Sequence, residues 1–117
     1  MSLSFIAPDG PPLDVVFVSK SKTSLTVSWK PPEEKFRNGI VNKYKVCYST
    51  KGSRERCKDG VSTTSYSIKK LKPATKYFVR VSAGTIPGYG VHSKNYSNIT
   101  NEGKSSNESL FLHLTNK

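Results

Sequence analysis

The sequence predicts an all-β fold of seven short strands, a sandwich or a barrel, and three observations carry that expectation. Apolar and polar residues alternate with a period of two in several short runs. Gly, Pro and Asn turn signals separate the runs, and no run has helical periodicity. Period two means half-buried strand, because successive side chains leave a strand on opposite faces. The chain has 117 residues, enough for one two-layer core.

Taken in order, residues 1–12 hold Pro8, Gly10, Pro11 and Pro12 and read as a lead-in without regular structure. Leu13 to Ser19 is β-branched and aromatic, with Val15 and Phe17 on one face. Ser24 to Lys30 turns Leu25, Val27 and Trp29 inward, and Pro31-Pro32 ends it because proline cannot donate to a sheet ladder. Glu33 to Gly39 is a charged loop closing on Asn38-Gly39. Val41 to Thr50 follows, with Tyr44, Val46 and Tyr48 inward and Lys43, Lys45 and Cys47 outward. Lys51-Gly52-Ser53 turns into a short charged edge strand, Arg54 to Lys58, and Asp59-Gly60 turns again into Ser62–Ile68, which supplies Tyr66 and Ile68.

The cleanest alternation runs from Tyr77: Tyr77, Val79, Val81 and Ala83 on one face, Lys76, Phe78, Arg80 and Ser82 on the other. Pro73 bars a helix there, and Leu71 is an apolar anchor ahead of the turn. A tyrosine opening an inward-facing strand needs a partner for its hydroxyl. Tyr77 is either an ordinary core tyrosine or one bonded back to the preceding turn, the tyrosine corner of immunoglobulin-like sandwiches. Gly84, Pro87, Gly88 and Gly90 then read as a loop, and His92 to Thr100 as a weaker strand with Tyr96 and Ile99. Beyond Asn101 the chain is polar apart from Leu110-Phe111-Leu112.

In this order and spacing the motifs resemble a fibronectin type III domain, over roughly Ala7 to Glu102. The matching residues are Pro11-Pro12, Trp29 with Pro31-Pro32, Asn38-Gly39 before Tyr44-Lys45-Val46, Tyr66-Ser67-Ile68, Leu71 to Tyr77, and Gly88-Tyr89-Gly90. The resemblance implies residues 1–10 as lead-in or linker, 11–102 as the domain and 103–117 as a polar tail or linker. It implies a seven-stranded antiparallel β-sandwich of immunoglobulin-like fold, a tyrosine corner at Tyr77 and a structural core of Trp29, Tyr44, Leu71, Tyr77 and Val79, with Trp29 packed between Val46, Tyr77 and Val79. Val27 and Val79 stand where an antibody domain would carry its inter-sheet cysteines, so a true immunoglobulin domain is not expected. By function it implies an extracellular interaction or spacer module cut from a larger receptor or adhesion protein, with other proteins or neighbouring domains as its partners. The alternatives are an intracellular structural module of a giant muscle-type protein and, more weakly, an accessory domain of a secreted carbohydrate-active enzyme.

The chain carries +11 net charge and a pI near 9.8, which favours acidic partners. No apolar run reaches the ~18 residues a membrane span needs, so direct membrane insertion of this segment is not expected. The amino terminus lacks signal-peptide character, as a domain excised from a longer chain would, and Met1-Ser2-Leu3 reads as an expression scar. No catalytic motif, phosphate loop or metal-ligand spacing occurs, so no enzyme, cofactor or metal is expected. Without a recognition helix, and with few aromatics among the charges, nucleic acid is not an expected partner. Lys43, Lys45, Arg54, Arg56, Lys76 and Arg80 are expected to converge on one sheet face, as a basic patch for heparan sulfate or another acidic partner, or simply as a solvated face. Cys47 and Cys57 should face each other across the Lys51-Gly52-Ser53 hairpin and form a disulfide, a register that also points Arg56 and Lys58 inward. Asn95-Tyr96-Ser97, Asn98-Ile99-Thr100 and Asn107-Glu108-Ser109 are glycosylation sequons; Asn107 should be the most accessible, with Asn95 and Asn98 partly shielded on a strand.

Overall fold

A computed structural model describes residues 6–102, which form two antiparallel sheets packed face to face. The strands are β1 (Leu13–Lys20), β2 (Leu25–Lys30), β3 (Lys43–Ser49), β4 (Arg56–Val61), β5 (Ser65–Ile68), β6 (Lys76–Thr85), β7 (Gly88–His92) and β8 (Tyr96–Ile99). The smaller sheet runs β1-β2-β5; the larger runs β4-β3-β6-β7, with β8 also paired to β6.

Alternation sets the core between the layers. Leu25, Val27, Trp29 and Ile68 come from the smaller sheet, and Tyr44, Val46, Val61, Tyr77, Val79, Val81 and Ala83 from the larger; all are buried, with Leu71 closing one end. Val27, Val46, Val79 and Val81 are wholly removed from solvent, each worth about 1.5–3 kcal/mol. Trp29 belongs to this cluster and meets Tyr44 edge-on, with ring centroids 5.4 Å apart.

Tyr77 makes the tyrosine corner. Its hydroxyl accepts the Lys72 backbone N–H at 2.9 Å. A second latch, silent in the sequence, holds the same turn: buried Thr100 donates its hydroxyl to the Lys72 carbonyl at 2.6 Å and accepts the Thr75 N–H at 3.0 Å. Short polar side chains commonly satisfy turn backbone in this way.

Several local expectations are corrected. The expected seventh strand is two strands, because Ser93 interrupts the ladder: its buried hydroxyl takes the Val81 N–H at 3.0 Å, where a strand would offer a carbonyl. Gly88, Tyr89 and Gly90 lie in β7, and only Ile86-Pro87 separates β7 from β6. Gly90 marks a close approach, since a Cβ there would collide with the Pro8 carbonyl. Asp59-Gly60 also lies within a strand, at an irregularity between the pairs Tyr44–Val61 and Val46–Lys58, where Gly60 has a φ of +68°. Ile99 is half exposed and pairs with outward Lys76, while Tyr96 packs on the core; three residues apart on a strand, they cannot share a face. The charged loop before β3 contains one 3-10 turn, Glu34–Phe36. Residues 6–10 lie against the sandwich: Thr85 donates its hydroxyl to the Ile6 carbonyl, and Asn38 its amide to the Ala7 carbonyl, both at 2.9 Å. The Leu110-Phe111-Leu112 patch lies outside the described residues.

Candidate functional site

The outer face of the larger sheet carries the charged side chains, and the register of β3, β6 and β7 arranges them in rows. One row is Lys43, Gly84 and Tyr89; the next is Lys45, Ser82 and His92; a third sets Arg80 beside Cys47, which faces Cys57. Paired residues share a face, so each row's side chains stand side by side.

In the first row Gly84 matters because it has no side chain. A Cβ there would lie 2.8 Å from the Lys43 stem and 3.0 Å from the Tyr89 ring. Their contact therefore depends on that open position. Tyr89 is fixed by its hydroxyl, which accepts the Gly60 N–H on β4 at 2.8 Å. The ammonium groups of Lys43 and Lys45 stand 5.1 and 4.6 Å from its ring centroid, within cation–π range. Neither lysine has a carboxylate partner among the described residues.

In the second row Ser82 is fully buried, and among the described residues its hydroxyl has no partner; His92 Nδ1 is likewise buried and unpartnered among them. Burial, reinforced by repulsion from Arg80 and Lys45 and opposed by Glu55, holds the His92 imidazole below its usual pKa. In the third row Glu55 accepts from Arg80 at 2.8 Å through both carboxylate oxygens. That bond lowers the Glu55 pKa and raises that of Arg80. Cys47 and Cys57 are joined, with S–S 2.04 Å and Cα–Cα 4.0 Å. Cys47, Glu55 and Cys57 place ligand atoms within 4.8 Å of one another, but the two sulfurs are bonded to each other, which leaves no thiolate for a metal.

The six-residue basic patch is therefore redrawn. Lys43 and Lys45 stand together, but Arg80 is neutralised by Glu55. Arg56 pairs with Tyr48 and so points to the opposite side of the sheet, because alternation separates it from Cys57. Lys76 is six residues along β6 from Ser82, roughly 20 Å away at strand rise, with its ammonium 5.5 Å from the Phe78 centroid. Arg54 is exposed in the β3–β4 connection. The alignment of Tyr89 with Gly84 and of His92 with Ser82 escaped the sequence reading, because the β6–β7 hairpin that creates it looked like a loop.

Of the sequons, Asn95 is exposed and lies just ahead of β8, not on it. Asn98 is half-buried beside β1: its side-chain oxygen accepts the Ile99 N–H at 2.8 Å and the Lys20 ammonium at 3.4 Å. Asn107 lies outside the described residues.

Comparison with known proteins sets this geometry in a family. Roundabout homolog 1 of Mus musculus is 43% identical over 94 residues, covering 75% of this chain and 6% of its own length. Ephrin type-A receptor 7 of Gallus gallus is 42% identical over 72 residues, 60% of this chain and 7% of its own. The chain thus spans a small fraction of the curated relatives it matches. Among solved structures, the FN5 domain of Drosophila Lar matches with a TM-score of 0.67 and 32% identity, over 83% of this chain and all of that one. Titin domains A168-A170 match with a TM-score of 0.73 and 26% identity, over 82% of this chain and 33% of theirs. The family model for the fibronectin type III domain matches residues 10–100, and the chain belongs to that family.

Proposed function

We propose that this domain is a non-catalytic, extracellular interaction module of a larger cell-surface protein, and that the Lys43–Lys45–Tyr89 corner of its larger sheet binds a sulfated glycan of the heparan sulfate kind. The observation that carries the reading is the pair of ammonium groups held over one ring with no carboxylate partner among the described residues. Two like charges on one strand face repel, and a polyanion relieves that repulsion while keeping the flat ring as a platform. The large positive charge of the chain draws the same class of ligand.

The Cys47–Cys57 bond favours an oxidising compartment, and the similarity to a receptor and to Roundabout homolog 1 favours a cell surface. The rival, an intracellular structural module, has the likeness to titin in its favour but leaves the disulfide without a reason. After secretion from a eukaryotic cell the domain should lack free thiols and carry a glycan at Asn95. Two alkylatable thiols in protein never exposed to reductant would favour the rival.

The glycan reading is tested on heparin resin. Lys43→Glu with Lys45→Glu should release the domain at much lower salt than Lys22→Glu with Lys69→Glu, exposed lysines outside the larger sheet. Lys20 is unsuitable as a control because its ammonium also bonds the Ile99 carbonyl at 3.1 Å and ties β1 to β8. Equal shifts for the two pairs would mean that retention follows net charge alone and that the corner is no site.

A further inference from the structure

We infer that Lys45, Ser82 and His92 form a subsite for one sulfate group of the glycan, and that this subsite tightens in acid. The inference rests on the glycan reading above and adds to it a location and a pH response.

The three residues lie in one row across β3, β6 and β7, because Ser82 pairs with Lys45 on one side and His92 on the other. All three project outward, in the row next to the Lys43–Tyr89 corner. Two of their polar atoms are buried without a partner among the described residues, Ser82 Oγ and His92 Nδ1. Both atoms are closed to solvent in the free domain, so a sulfate oxygen reaches them only once the side chains above them move. Native structures rarely leave such atoms unpaired, and a ligand atom is one way of satisfying them. What the row offers is donors: a hydroxyl, an imidazole N–H and an ammonium. A sulfate group offers only acceptor oxygens, so the two sets are complementary. Lys45 is the movable member, with a flexible four-carbon stem and its ammonium resting 4.6 Å from the Tyr89 centroid.

The charged groups facing His92 are Lys45 on β3, Arg80 on β6 and Glu55 ahead of β4. Both cations oppose its protonation, and Glu55, the only acid among them, is engaged by both arms of Arg80. A sulfate beside the imidazole reverses the balance by stabilising the imidazolium. Binding and protonation then favour each other by the same factor, since linkage is reciprocal. Free His92 is neutral at pH 7.5, so the coupling is felt as the pH falls through the imidazole range. A rise of half to one pKa unit on binding gives a gain in affinity of up to roughly 3- to 10-fold.

The test titrates a size-defined heparin octasaccharide into the 117-residue chain at constant ionic strength, at pH 7.5 and 5.5. Wild type should bind roughly 3- to 10-fold more tightly at pH 5.5. His92→Gln should abolish the gain, whatever its affinity at pH 7.5, and His113→Gln, altering the chain's other histidine, should keep it. NMR titration of the His92 ring in wild type, with and without octasaccharide, supplies a measurement that needs no variant: its pKa should rise on binding. A gain that survives in His92→Gln, or an unmoved His92 pKa in the bound state, overturns the subsite. Binding sensitive to Lys43→Glu with Lys45→Glu but without any acid gain removes the subsite and leaves the glycan reading standing. No binding at either pH removes both.

Discussion

Replacing Tyr77 by Phe isolates one hydroxyl in an otherwise unchanged core. Tyr77 is 7% exposed and belongs to the buried cluster with Val79, Val81 and Leu71, so the apolar contribution of its ring survives the change. What disappears is the acceptor for the Lys72 N–H at 2.9 Å. Stranding a buried donor costs about 1–3 kcal/mol, and the lower half of that range applies because the bond is only part-buried. The Thr100 latch is expected to keep the turn closed, since it holds the Lys72 carbonyl and the Thr75 N–H independently of Tyr77. A loss of about 1–2 kcal/mol should lower the melting temperature by roughly 4–16 °C for a domain of this size. The assay is urea unfolding followed by Trp29 fluorescence, with the slope compared as well as the midpoint. An unchanged slope with a lower midpoint reports lost stability rather than altered compactness. Tyr66→Phe is the control; its hydroxyl has no partner among the described hydrogen bonds, and its midpoint should stay close to wild type. Coincident midpoints for Tyr77→Phe and wild type would refute the claim that this hydrogen bond supports the fold.

Three further outcomes follow from the same packing and charge. Trp29→Ala should cost about 3–5 kcal/mol by leaving a cavity in the centre of the sandwich, and near-UV circular dichroism with denaturant unfolding measures it. Cys47→Ala with Cys57→Ala should cost about 2–3 kcal/mol by releasing a closed loop of about eleven residues in the unfolded chain; an unchanged midpoint in non-reducing buffer would contradict it. Stability should fall on acidification through two groups whose folded pKa is depressed. His92 resists protonation when folded, so stability is lost as pH drops below 6.5, its ordinary value, until the folded form also protonates. Glu55 contributes stability that is present above 4.5, its ordinary value, and lost as pH falls through its lower folded value. His92→Gln should flatten the upper part of that profile, and Arg80→Gln the lower; midpoints measured between pH 2 and 8 decide both.

The pattern of side chains determined the two-layer fold, because period-two alternation from Leu25 to Trp29 and from Tyr77 to Ala83 leaves each run one face to bury. It also indicated the Cys47–Cys57 bridge and the Tyr77 corner, which depend on short, local geometry. The charged face was legible only as a list of outward lysines and arginines. Whether those charges meet depends on register, and register is fixed by contacts between strands distant in sequence. Tertiary structure alone decided that Gly88 to His92 extends the sheet, and this set Tyr89 under two lysines and His92 beside Ser82. It alone placed Glu55 against Arg80 and turned Arg56 to the other side. Glycines read as turn signals in the sequence because their freedom suits turns. Here Gly90 and Gly84 sit in strands for the opposite reason, that backbone or side chain from elsewhere in the fold occupies the space where a side chain would be.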